Sequence, residues 1–184
     1  MNSQEKIKTR EALVKIITPL KRRGKTIAFT NGCFDLMHRG HVEYLEKAKG
    51  THPNRFLIVG LNSDKSIRAI KEPGRPILDQ KARARVLAAL ACVDYVTIFD
   101  EETPQELIER LQPDILIKGA DWKGKIVVGA DLVQSYGGRV EFMPYIAGVS
   151  TTGIVAAILR KFKKSCDWVT RAPVTKSPVR KYFQ

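Results

Sequence analysis

The chain has 184 residues, 43% of them hydrophobic, and a formal net charge of +13; this is the length of one domain, with enough apolar residues for a sizeable core. No apolar run approaches the roughly 18–20 residues a membrane span needs, and MNSQEKIKTR has no apolar segment behind its charges, so neither a span nor a secretory signal is expected. Three widely spaced cysteines, Cys33, Cys92 and Cys166, form no CxxC pair, which argues against a disulfide framework or zinc site and for a reducing, cytoplasmic setting.

The charge is unevenly spread. Residues 1–25 hold eight Lys/Arg against two Asp/Glu, residues 160–184 hold eight against one, and residues 26–159 hold sixteen of each. Basic ends can bind nucleic acid or anionic surfaces, but solvated faces and disordered ends are commoner. Nucleic acid is therefore not the expected partner.

Leu13, Ile16, Ile17 and Leu20 recur at helical spacing, predicting an opening helix over residues 9–23. Pro19 predicts a kink or an early end, since an interior proline costs about 3 kcal/mol. Gly24 stops the helix, and the apolar run Ile27, Ala28, Phe29 predicts a strand over 26–31. Gly32 is expected to let the backbone turn sharply or approach a ligand closely. The next helix starts around His38-Arg39-Gly40-His41, continues with Val42, Leu45 and Ala48, and ends near Lys49.

RFLIVGL at 55–61 reads as a buried strand, and Ser63 or Asp64 would cap a short helix through Ile70. Residues 71–76, with two prolines and a glycine, form a loop. Its cations Lys71 and Arg75 are either phosphate contacts or solvated charges. Asp79 would cap a helix over 80–91, with Val86, Leu87 and Leu90 inward. Asp94–Phe99 is a third strand. Thr103-Pro104 starts a helix whose Leu107, Ile108 and Leu111 face the core. Ile115–Lys118 is a fourth strand, running into Gly119–Trp122. A helix near 130–136, a strand over Arg139–Met143 and a final helix opened by residues 147–153 and reaching about Phe162 complete the pattern.

Alternating strands and helices predict a Rossmann-like α/β fold: an open, mostly parallel five-stranded sheet flanked by helices. The domain is expected over 1–164, with a helical N-terminal extension at 1–25. Residues 165–184 would be a basic, flexible tail. Ligands of such sheets bind beyond the carboxyl ends of the strands. Asn31–His41, Asn62, Gly119–Trp122 and Ser150–Thr152 all fall at such ends.

There is no GxxxxGK[ST] and no GxGxxG. HxGH stands at a strand-to-helix turn, where free helix N–H groups and two imidazoles on one face suit a phosphate. A metal pair would need a third ligand, and none is evident in the sequence. Together TNGCFDLMHRGHVEYL, GLNSD, GRPI, KGADW and GVSTT resemble the HxGH nucleotidyltransferases of the cytidylyltransferase-like superfamily over about residues 8–162. NGCFD, GRPI and VDYVTIFDEETP make the likeness greatest to the heptose 1-phosphate adenylyltransferases, the second domain of bifunctional ADP-heptose synthases.

That resemblance implies adenylyl transfer from ATP to D-glycero-D-manno-heptose 1-phosphate, giving pyrophosphate and the ADP-heptose used for lipopolysaccharide or surface glycans. It implies His38 and His41 as catalytic phosphate donors. Asn31, Gly32, Cys33, Phe34, Asp121, Trp122, Ser150, Thr151 and Thr152 would bind nucleotide, while Asn62, Lys71, Arg75 and Lys118 would meet substrate or its phosphate. Asp35 would either take part in the site or simply hydrogen-bond the turn and fix it; Trp122 would either stack near the base or cover the sheet edge. Mg²⁺ would accompany ATP, held mainly by phosphates and water.

Cytidylyl relatives carry an RTEG-like run before the terminal motif. Here Tyr145-Ile146-Ala147-Gly148 stands instead, which weighs against CTP. The chain is expected to be monofunctional, with a separate sugar kinase supplying its substrate and with apolar stripes compatible with a homodimer. The runner-up is a cytidylyltransferase for glycerol 3-phosphate or a similar small phosphate. A basic nucleic-acid-binding module is the alternative of another class.

Overall fold

A computed structural model describes residues 2–144 and 148–162. They fall into two units divided between residues 149 and 150. The first carries five strands: β1 (Thr26–Gly32), β2 (Arg55–Asn62), β3 (Tyr95–Phe99), β4 (Ile115–Gly119) and β5 (Arg139–Met143). Its helices are α1 (Arg10–Arg22), α2 (Arg39–Lys49), α3 (Asp64–Ile70), α4 (Gln80–Ala89), α5 (Gln105–Leu111) and α6 (Ala130–Ser135). The second unit contains α7 (Thr151–Phe162). The expected flexible tail at 165–184 and Cys166 lie outside the described residues, as do Tyr145, Ile146 and Ala147.

The sheet has the order β3-β2-β1-β4-β5, and every pairing is parallel. β1 pairs with β2 on one side (Ala28 opposite Leu57) and with β4 on the other (Ala28 opposite Ile115). The strand order reverses between β1 and β4, the place where open α/β sheets bind ligands.

Successive strand residues point to opposite faces, and both faces are covered. Ala28, Leu57, Val59, Ile115 and Ile117 join one core with Leu45 and Ala48 of α2 and Leu87 of α4. Ile27, Phe29, Ile58 and Leu116 join the other with Leu13 and Ile17 of α1, α5 and Val133 of α6. Burial on both faces explains why the strands read as near-continuous apolar runs.

The structure refines several expectations. α1 passes through Pro19 without ending. The carbonyl deprived of its partner by the missing N–H is that of Lys15, which is exposed and open to water. α4 turns Arg83, Ala84, Leu87 and Ala88 inward and Leu90 packs against the same core, so Leu87 and Leu90 face as expected, whereas Val86 is 43% exposed and Arg83 takes an inward place instead. The basic N-terminal segment is built into the fold: Ile7 bridges to Val96, and Lys6 Nζ donates to the carbonyls of Leu90 and Val93 at 3.0 and 2.7 Å.

A correction concerns the turn after β1. Gly32 lies at the end of that strand, whereas the left-handed positions are Phe34 (φ +43°) and Leu36 (φ +49°). Each such non-glycine residue costs of order 1–3 kcal/mol, so the surroundings must hold the turn. Gly32 contributes space instead: a Cβ there would come within 3.1 Å of the Phe34 ring.

Candidate active site

β1 ends at Gly32, and the chain reaches α2 through Cys33–Met37. His38 is the N-cap residue of α2, and no side chain caps that end by a hydrogen bond from this position. The first-turn N–H groups and the positive dipole end remain suited to an anion. His41 lies one turn on, its backbone N–H donating to the His38 carbonyl at 2.9 Å. The two rings stack with centroids 3.9 Å apart and planes 24° from parallel. Phe34 packs its ring 5.4 Å from that of His41.

Burial, with His38 adding to it, pushes the His41 imidazole down to about 4; burial also lowers His38. At neutral pH each ring is therefore uncharged, with one N–H donor and one acceptor nitrogen. Nδ1 of both rings is buried, and neither has a hydrogen-bond partner among the described residues. Buried polar atoms are normally paired.

β4 brings its own set to the adjacent strand end. Lys118 is 8% exposed; its Nζ donates to Oδ1 of Asn31 and lies 5.5 Å over the Trp122 ring. Burial pushes its ammonium down to about 8 from 10.5, while Asp121 pulls it up. Gly119 makes room for Asp121, whose Oδ1 would meet a Cβ at 2.4 Å. Asp121 and Trp122 form a short 3-10 turn and are exposed. Asn31, Lys118, Asp121 and Trp122 are thus gathered at neighbouring ends of β1 and β4.

The remaining predicted residues divide. Cys33 is half-buried, and burial raises its thiol against the pull of Lys71, Arg83 and Arg75, which places those cations within electrostatic reach of the β1 turn. Arg75 Nε lies 3.2 Å from Oδ2 of Asp35. Asp35 is 1% exposed and accepts from the backbone N–H groups of Ile77 and Leu78 at 2.8 and 3.0 Å, so it joins the 75–78 loop to the turn. Lys71 is exposed at the end of α3. Asn62 is 3% exposed and gives its carboxamide N–H to Ser66 Oγ at 2.9 Å, a contact within its own β2–α3 connection. In the second unit, Ser150 Oγ accepts from Gly153 N at 3.0 Å, a helix-capping contact, and Thr151 and Thr152 open α7.

Two supporting residues escaped the sequence reading. Tyr44 hydroxyl lies 2.7 Å from Thr30 Oγ1 and 3.3 Å from the Ile117 carbonyl, pinning α2 across β1 and β4. Arg83 is buried in α4 and bonds to Cys33, Asn62, Asp64 and Leu78. The signal for Arg83 was its place beside Ala84 and one turn before Leu87 and Ala88; the stripe through Val86 concealed it.

Residues 29–157 match the family model described as cytidylyltransferase-like. The chain is 54% identical over 159 residues to the "Bifunctional protein HldE" of Syntrophotalea carbinolica, covering 86% of this chain and 32% of that one. It is 53% identical over 161 residues to the protein of the same name from Geobacter metallireducens, covering 88% and 32%. The chain therefore spans about a third of the length of these curated relatives. Among solved structures it resembles the "lipopolysaccharide core biosynthesis protein from Thermoplasma volcanium GSS1", with a TM-score of 0.54 at 24% identity, covering 66% of this chain and 96% of that one. It also resembles the "Macrolide-efflux Protein from Streptococcus pneumoniae", with a TM-score of 0.53 at 23% identity, covering 73% and 52%. These two likenesses concern the fold alone. Among the described residues, no helix is long and apolar enough to cross a membrane.

Proposed function

The chain belongs to the cytidylyltransferase-like family, and from that membership we propose that it transfers the adenylyl group of ATP to D-glycero-D-manno-heptose 1-phosphate. A sugar-phosphate oxygen attacks the α-phosphorus, the bond to the β-phosphate bridging oxygen breaks, and pyrophosphate leaves with that electron pair. ADP-heptose is the other product. The sequence motifs of the heptose branch and the identity of about half to the bifunctional relatives support this substrate over glycerol 3-phosphate.

The observation that carries the reading is the stacked His38–His41 pair at the strand-order reversal, with both Nδ1 atoms buried and unpartnered among the described residues. The nucleophile is already ionised at neutral pH, so the site needs positioning and charge stabilisation rather than a strong base. Uncharged imidazoles serve that need by donating N–H to phosphate oxygens. Lys118 would exchange its Asn31 contact for a substrate phosphate. Asp121 would accept from a ribose hydroxyl or a base amino group, beside Trp122. Asn31, Gly32, Cys33 and Phe34 would line the nucleotide, with Asn62, Lys71 and Arg75 on the phosphate side. Ser150, Thr151 and Thr152 are assigned to the β,γ-phosphates.

Mg²⁺ belongs to this reading as the companion of ATP. No group of three His, Cys, Asp or Glu side chains able to hold a metal occurs among the described residues, while Asp121 is an exposed carboxylate at the end of β4. The cation would be carried mainly by phosphate oxygens and water; when bound, it would neutralise triphosphate charge. A sugar kinase would make the heptose 1-phosphate, and the setting would be cytoplasmic.

The test supplies ATP, Mg²⁺ and heptose 1-phosphate and follows pyrophosphate together with the sugar nucleotide by mass. Stoichiometric pyrophosphate and ADP-heptose are expected. Turnover with CTP and glycerol 3-phosphate, and none with the ATP pair, would overturn the assignment in favour of cytidylyl transfer.

A further inference from the structure

Arg83 is a charged side chain at 0% exposure. Its Nε donates to the Leu78 carbonyl at 2.9 Å, Nη1 to the carbonyls of Cys33 at 2.6 Å and Asn62 at 2.9 Å, and Nη2 to Asp64 Oδ1 at 2.7 Å. One helix thus grips the turn after β1, the end of β2, the start of α3 and the loop before α4. Removing a guanidinium from water is costly, and a buried ion pair is weak evidence for stability. What a planar, multiply donating group does well is hold several acceptors in one fixed arrangement.

Contacts lead from this group to the histidines. The Cys33 carbonyl belongs to the peptide entering Phe34, which is held at φ +43°. The Phe34 ring lies against Gly32 and 5.4 Å from the His41 ring, which stacks on His38. A second branch closes the circuit. Asp35 accepts from Ile77 and Leu78, and the Leu78 carbonyl returns to Arg83.

We propose that Arg83 is a positioning residue for nucleotidyl transfer: by holding the Cys33–Leu36 turn it sets, through the Phe34 ring, the placement of the His38–His41 pair. The inference rests on the reaction assigned above. Arg83 touches no reacting atom in this scheme; it acts through the turn.

Arg83→Lys keeps the positive charge and loses the planar fork. It is expected to lower kcat about tenfold or more while leaving the KM for ATP within about threefold of its starting value. The chain's three histidines supply a second readout. His52 lies in the exposed turn before β2 and serves as an internal reference. The ring resonances of His38 and His41 should move in Arg83→Lys, and those of His52 should stay. A folded variant with unmoved His38 and His41 signals and unchanged kcat would overturn the proposal.

Arg83→Gln provides the decision if Arg83→Lys does not fold. It keeps a planar amide donor, loses the charge and the fork, and leaves the Phe34 ring beside His41 in place. The same displacement of the histidine signals with a lower kcat supports the proposal, and its absence overturns it. Ring resonances are read without substrate. Absence of adenylyl transfer in the unaltered protein would therefore strike the reaction assignment and leave the positioning inference separately measurable.

Discussion

The adjacent ends of β1 and β4 prepare for a ligand in opposite ways. The β1 turn is tightly held, with Asp35 tied to Ile77 and Leu78 and the Cys33 carbonyl held by Arg83 of α4, yet the His38–His41 pair leaves two buried ring nitrogens unpartnered among the described residues. The β4 end is already engaged: Lys118 contacts Asn31 and lies over Trp122. Uncharged donors on a rigid turn need no rearrangement to meet developing charge, which is what electrostatic preorganisation requires. A buried ammonium must instead exchange one acceptor for another. In the proposed reaction the first end would stabilise the transition state and the second would recognise the charged substrate.

The largest effect should come from the β1 side. His38→Ala or His41→Ala is expected to lower kcat about 10²–10³-fold, the scale of losing one preorganised donor, with a much smaller change in ATP affinity. Pyrophosphate release at saturating and limiting ATP separates the two effects. Unchanged turnover in both variants would remove the histidines from the chemistry and erase the contrast.

Lys118→Met should act on recognition. Loss of a charge-assisted hydrogen bond predicts a rise in sugar-phosphate KM of about 10–100-fold. The two ends should also differ in pH dependence. Lys118 loses its proton as pH rises through about 8, so kcat/KM should fall above that pH. Lys118→Arg, which stays charged, should extend the plateau. A profile identical in the two proteins would deny Lys118 its role.

The smallest effect is on stability. A histidine in the unfolded chain titrates near 6.5, whereas His41 in the fold titrates at about 4. Between these values the unfolded state binds more protons, so stability is lost as pH falls from 6.5 towards 4 and is fully present above 6.5. His41→Asn removes this linkage. Between pH 7 and 4.5 the Tm of the unaltered protein should drop by about 5–10 °C more than that of the variant. Parallel Tm curves would show that the ring is not held uncharged by burial.

Much of this arrangement was legible in the residues. Burial of the sheet on both faces made the strands apolar runs, and Ser63 and Asp79 marked helix starts, each accepting the backbone N–H of the third residue of its helix. HxGH marked the turn. Other features were hidden by local rules that tertiary structure outweighed. Gly32 looked like the source of the sharp turn, but Phe34 and Leu36 adopt the left-handed conformations because Asp35 and Arg83 hold the backbone around them. Val86 looked apolar enough to be buried, yet Arg83 takes the inward position where three backbone carbonyls await donors.

The sequence by itself determined the order and type of the elements and set two histidines one turn apart at a helix start, because periodicity, caps and glycine placement report on neighbours within a turn or a pleat. The tertiary structure alone decided that β1 lies beside β4, that Lys118 meets Asn31 across 87 residues of chain and that Arg83 reaches Cys33 across 50. Such pairings leave no periodic trace, since each partner would read the same locally whatever lay opposite it. Packing both sheet faces brings them together and turns a motif into a site.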